Sequence, residues 1–197
     1  GGVTTYGGTV TFSGINTYTG ATTVNSGILA LGGATGSAAN SDFAVNTTTS
    51  SSTTLQFNST TSGNTGTTRA KSVTLNGSGG SNGAALTVSG NATANSNDVI
   101  TNALTAVEGY AIVGVSANGA RNAQLSAGSF SREAGSSVLF RGSNLGVNTI
   151  ASLTAGAANI SFTNTPTLVG SGTAGQTTIG IIAGAYGDIT SGGDGKT

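Results

Sequence analysis

The sequence predicts an all-β protein of stacked, short extended segments, a β-helix, and three observations point there. Apolar residues recur two apart in many brief runs, such as Val10 and Phe12 or Leu29 and Leu31, the period of a strand with one buried face. Thirty-four glycines punctuate these runs, while Pro166 is the single proline. The apolar fraction, 36%, consists mainly of small aliphatic residues, and only 6% of residues are charged. Ordering such a chain costs on the order of 1.5 kcal/mol per residue, which a globular core of small side chains offsets poorly. Stacked coils do better, because each pairs its backbone with the coils above and below and buries a continuous inner column. A β-sandwich is the alternative, since short alternating strands with turns suit both architectures.

Residues 10–32, VTFSGINTYTGATTVNSGILALG, set the pattern. Val10 and Phe12 share one side of a strand, with Thr11 and Ser13 on the other; Val24, Leu29 and Leu31 repeat the arrangement. Gly14, Gly20, Gly27 and the Gly32-Gly33 pair mark corners. Val10, Phe12, Gly14, Asn16, Tyr18, Gly20, Thr22, Val24, Gly27, Leu29, Leu31 and Gly32 all fall on the pattern of the autotransporter-associated β-strand repeat, which this stretch resembles. The resemblance implies a right-handed parallel β-solenoid within a large secreted or surface-displayed bacterial protein of the adhesin or passenger type. Residues 131–146 and 165–188 look like stretches found beside such repeats in very long bacterial surface proteins, a likeness that fixes no activity.

The remaining elements follow in order. Residues 1–9, with Val3 and Tyr6 as anchors, read as an edge strand or arm. Phe43 and Val45, Leu55 and Phe57, Val73 and Leu75, and Leu86 and Val88 each mark a short strand. The polar tracts from Thr47 to Thr54 and from Ser59 to Thr68 read as solvated corners, and Asn-Gly steps at 76, 82 and 118 as turns. Between Asp98 and Val115, the spacing of Val99, Ile100, Ala103, Leu104 and Val107 would suit a helix capped by Asn97 or Asp98. Strand is favoured there, because β-branched residues dominate and Gly109 and Gly114 interrupt. Val138 and Phe140, Ile160 and Phe162, and Ile179 and Ile181 return to the earlier rhythm.

Composition excludes most chemistry. Without Cys or His, the usual equipment for catalysis and metal binding is mostly missing, and no disulfide can form. Glu108 and Glu133 are the only glutamate pair a glycosidase could use. Asp188 and Asp194 resemble a fragment of a calcium-binding nonapeptide array, but that motif works by tandem turns. Gly195-Lys196-Thr197 echoes the end of a phosphate-binding loop, yet Thr190 stands where its first glycine is required. Asn46, Asn58, Asn76, Asn91 and Asn159 open glycosylation sequons, which arise by chance in so Asn- and Thr-rich a chain. Six basic residues against six acidic ones give no electrostatic footprint for nucleic acid. The longest apolar run, Ile179 to Tyr186, falls far below the ~20 residues of a membrane helix.

The sequence therefore predicts no enzyme, no cofactor and no metal. The expected unit is one β-solenoid module over 1–197, with 10–32 its best-matching repeat. Lacking methionine and a signal-like start, it reads as an internal piece of a longer chain or as a filament subunit. The expected function is a structural module of a bacterial cell-surface or extracellular fibre, self-associating by end-to-end β-stacking or strand addition as a head-to-tail homopolymer or tandem repeats. The alternative is an adhesin that holds surface glycans or a host surface through its loops, with Arg121, Arg132 and Arg141 as the candidate interaction patch. The plainer reading of those charges is surface ion pairing around Glu108 and Glu133. A third reading, ice or surface binding through threonine rows at Thr22-Thr23 and Thr47 to Thr49, suffers from irregular spacing.

Overall fold

The computed structural model describes residues 1–47, 52–77, 83–147, 156–170 and 180–189. Within them run eleven strands: β1 (Val3–Phe12), β2 (Thr22–Gly32), β3 (Ala38–Asn46), β4 (Thr53–Asn58), β5 (Asn64–Gly77), β6 (Ala84–Ser89), β7 (Ser96–Ser116), β8 (Ala123–Arg132), β9 (Ser136–Gly142), β10 (Ala158–Phe162) and β11 (Ala185–Asp188). The all-β expectation holds.

The expected right-handed parallel β-solenoid, or β-helix, does not. The pairing path runs β7-β5-β3-β2-β4-β6 and returns to β7, so six parallel strands close into a barrel, with the other strands attached to it. An open series of coils would leave that path unclosed. Closure depends on two long strands that each serve more than one ladder. β2 gives Thr22–Val24 to β3 and Gly27–Gly32 to β4, while β7 pairs with β5 through its first part and with β6 through Ala111–Ser116. The β-sandwich alternative is set aside too, because every ladder between these strands is parallel.

In-register pairing turns period-two alternation into columns. Val10, Leu29, Leu55, Leu86, Val113 and Phe140 form one. A second contains Phe43, Val73, Leu104 and Phe130; a third contains Ala38, Ala70, Ile100, Ala127 and Phe162. All three carry a phenylalanine towards the same end, the first of them followed by Gly187, and there the rings of Phe130, Phe140 and Phe162 meet with centroids 5.2 to 6.1 Å apart. Such edge-on and tilted contacts suit the ring quadrupoles.

The strand expected over 98–115 is present as the 21-residue β7. Its helix-like spacing has a local cause: the ladder to β8 shifts register between Ile100 and Ala103, with Thr101 and Asn102 exposed, so that Ile100 and Leu104, four apart, are both buried. The corner glycines divide into two kinds. Gly27 and Gly33 have φ of 76° and 70°, whereas Gly14, Gly20 and Gly32 do not have positive φ. Gly20 is required for closeness instead, since a Cβ there would run into the Gly1 carbonyl. In β1, Tyr6 is not the anchor expected: it is 76% exposed, and Thr5 points inward in its place.

Candidate functional site

The most elaborate polar arrangement is enclosed. Arg69 on β5 and Asp98 on β7 are both inaccessible to solvent, and Nε of the arginine lies 2.6 Å from Oδ1 of the aspartate. The rest of the guanidinium donates to the carbonyls of Gly36 and Gly33 and to Ser59 Oγ. Asn64 Nδ2 donates to Ser59 Oγ at 2.7 Å and to Asp98 Oδ1 at 3.1 Å. Burial pushes the Asp98 carboxyl above its usual range, and the charge and hydrogen bonds of Arg69 oppose that shift. A site with no solvent access holds no substrate. Its action is to tie β5, β7 and the connections around residues 33–36 and 59 to one point.

Beside it, two sequons prove to be built into turns. Asn58 Oδ1 accepts from the backbone N–H and hydroxyl of Thr60, and Asn91 Oδ1 accepts in the same way from Thr93. The Asn91 amide then donates to the carbonyls of Ser59 and Thr60, stacking one turn on the other. Side chains that mimic the backbone in this way are a common use of asparagine.

The repeat residues divide between columns and connections. Val10 and Phe12 lie on β1; Thr22, Val24, Gly27, Leu29, Leu31 and Gly32 lie on β2. Asn16 donates to the carbonyls of Gly14 and Ser37, both at 2.9 Å. Tyr18 is hydrogen-bonded to Thr22, which in turn is bonded to Ser41. The polar members of the repeat thus hold the 13–21 connection against β2 and β3.

Arg121, Arg132 and Arg141 are not brought together as one patch. Arg121 ends the turn before β8, Arg132 ends β8, and Arg141 lies in β9 beside Gly114. The Arg132 guanidinium is committed to the carbonyls of Ala183, Glu133 and Ser136. Among the described residues the ion pairs form away from Glu108 and Glu133, between Arg69 and Asp98 and, at the surface, between Lys71 and Asp42 at 2.9 Å. Ser72 and Lys71 hold the Asp42 carboxyl below its usual range.

Among the described residues, cavities open at three places on the surface that neither Glu108 nor Glu133 lines. One of about 200 Å³ lies between Phe130, Arg132, Pro166 and Val169, and one of about 240 Å³ between Thr11, Gly33, Asn58 and Thr61. The third, about 180 Å³, is apolar, lined by Phe140, Leu145, Gly146, Ile160 and Phe162. Among the described residues no three carboxylates gather as a metal site, and no helix is long and apolar enough to cross a membrane. Asn82, Thr48, Thr49, Ile179, Thr190, Asp194 and Gly195-Lys196-Thr197 lie outside the described residues.

What remains open is backbone. β1 pairs only with β2, and β10 and β11 pair only with β8 and β9 respectively, so each of these three strands presents a free edge among the described residues. The sequence reading anticipated β1 as an edge but missed the Arg69–Asp98 pair. The available signal was parity: Ser96, Asp98 and Ile100 occupy alternate positions that are all buried. Compared with family models, curated proteins and solved structures, the chain matches none.

Proposed function

We propose that this chain is a non-enzymatic structural module of a bacterial cell-surface or extracellular fibre, joining other copies by strand addition. The observation that carries this reading is the free edge of β1. Its ten residues, VTTYGGTVTF, contain no charge and no proline, the devices that ordinarily keep an exposed strand from pairing with another chain. The likeness of residues 10–32 to a repeat of secreted bacterial proteins supports the extracellular setting.

The reading is tested by electron microscopy of the chain across a concentration series. Filaments that lengthen with concentration, with strands spaced about 4.8 Å along the axis, are expected. Compact monomers at every concentration would remove the proposal and leave recognition through the loops as the function to pursue.

A further inference from the structure

We infer that the join is directional: β1 of one copy adds, parallel and in register, to the edge of β11 that is free among the described residues in a second copy. This rests on the proposed self-association and specifies its two surfaces. Three observations carry it.

The first is register. Following the ladders strand by strand from β1 through β2, β4, β6, β7 and β9 to β11 places Thr9 in line with Tyr186, Val10 with Gly187 and Thr11 with Asp188. The two free edges therefore end the same columns at opposite ends, and every ladder along the way is parallel. A copy added by the same rule continues each column without a change of face.

The second is room. Gly187 stands in the column of Phe140, and a Cβ built on it would meet nothing within 4 Å. The apolar cavity of about 180 Å³ is lined in part by that same Phe140. An apolar cavity of about 150 Å³ is enough to hold a benzene-sized group. The partner's Val10 and Phe12, which are only partly covered in one copy, would bring their remaining apolar surface over it.

The third is chemistry at the rim. Tyr186 is 58% exposed and aligns with an exposed, uncharged Thr9 on a strand that carries no charge at all. Because the two surfaces are unlike, the contact is heterologous and need not close, which yields filaments instead of dimers.

The chain has no cysteine, so cross-linking reads the join directly. The double variant Thr9→Cys with Tyr186→Cys is expected to give a ladder of dimers, trimers and longer species on a non-reducing gel after mild oxidation. An equimolar mixture of the two single variants is expected to stop at the dimer, in several-fold excess over either single variant alone. Homodimers from Thr9→Cys alone would overturn the inference in favour of β1 pairing with β1, while leaving strand addition in place. Filaments without any cross-link would overturn it in favour of another contact. Neither filaments nor cross-links would overturn both this join and the reading on which it rests.

Discussion

Arg69 and Asp98 face each other across two strands 29 residues apart in sequence, 2.6 Å from nitrogen to oxygen, with neither side chain reaching water. Removing one partner from such a pair leaves an uncompensated buried charge, which costs about 3–5 kcal/mol. Arg69→Ala should lose that much at pH 7. The pH dependence follows from the direction of the Asp98 shift. Its folded value lies above the ordinary 3.8, so the folded state binds the proton more tightly than the unfolded state. Its contribution is fully present below 3.8 and is lost as pH rises through the folded value. Without Arg69 the carboxyl shifts further up, by about 1.4 kcal/mol per unit. Urea melts of the variant should therefore show a smaller deficit at pH 4 than at pH 7. An equal deficit at both would mean that Asp98 does not titrate in this range.

Thr5 presents the opposite case. Its hydroxyl is buried without a hydrogen-bond partner, and it stands in register with Val24, Val45, Leu75 and Ala106. Valine has nearly the same shape and no polar atom to desolvate. Thr5→Val should stabilise the protein by about 1 kcal/mol, read as a raised denaturation midpoint with an unchanged slope. A loss of stability would show that the hydroxyl has a partner after all.

How much of this was legible follows from the range of each signal. Alternation is local, so the strands around Leu55 and Phe57 or Val73 and Leu75, and the choice of strand over helix for β7, could be read directly. Closure into a barrel could not, because it depends on Thr22–Val24 and Gly27–Gly32 of one strand choosing different partners, a non-local decision. The arginines erred in the other direction. Arg121, Arg132 and Arg141 are close in sequence, yet the ten residues of β8 and the seven of β9 carry them to separate places. Arg69 attracted no notice because a lone arginine in a polar tract ordinarily faces solvent; here the inward parity of Asp98 holds it inside.

Gly27 combines two constraints that Gly33 and Gly20 carry singly. Its φ is 76°, and a Cβ there would press on the Gly8 carbonyl of β1. A left-handed conformation costs an ordinary residue roughly 1–2 kcal/mol, and displacing the β1 backbone adds to it. Gly27→Ala should destabilise by about 2 kcal/mol or more, and Gly27→Val by more still. Gly14→Ala is the control, since φ is not positive there and the added atom meets nothing. Thermal melts placing Gly14→Ala and Gly27→Ala at the same midpoint would refute the assignment of Gly27 as an obligatory bend.

Asn91 tests whether the stacked asparagine turns carry structural weight. The side chain is 5% exposed; its oxygen accepts from the N–H groups of Thr93 and Ala94, and its amide donates to the carbonyls of Ser59 and Thr60. Aspartate keeps the accepting half but sets a negative oxygen against two carbonyls. Alanine loses both halves. Because each buried group left without a partner costs about 1–3 kcal/mol, Asn91→Ala should destabilise by at least that amount. Asn91→Asp should be destabilising at pH 7 and partly recover at low pH, where a protonated carboxyl can again donate to a carbonyl. Amide hydrogen exchange provides the local check. In Asn91→Ala the N–H groups of Thr93 and Ala94 should lose protection before those of β7, and unchanged protection at both would mean that the turn is held by its backbone alone.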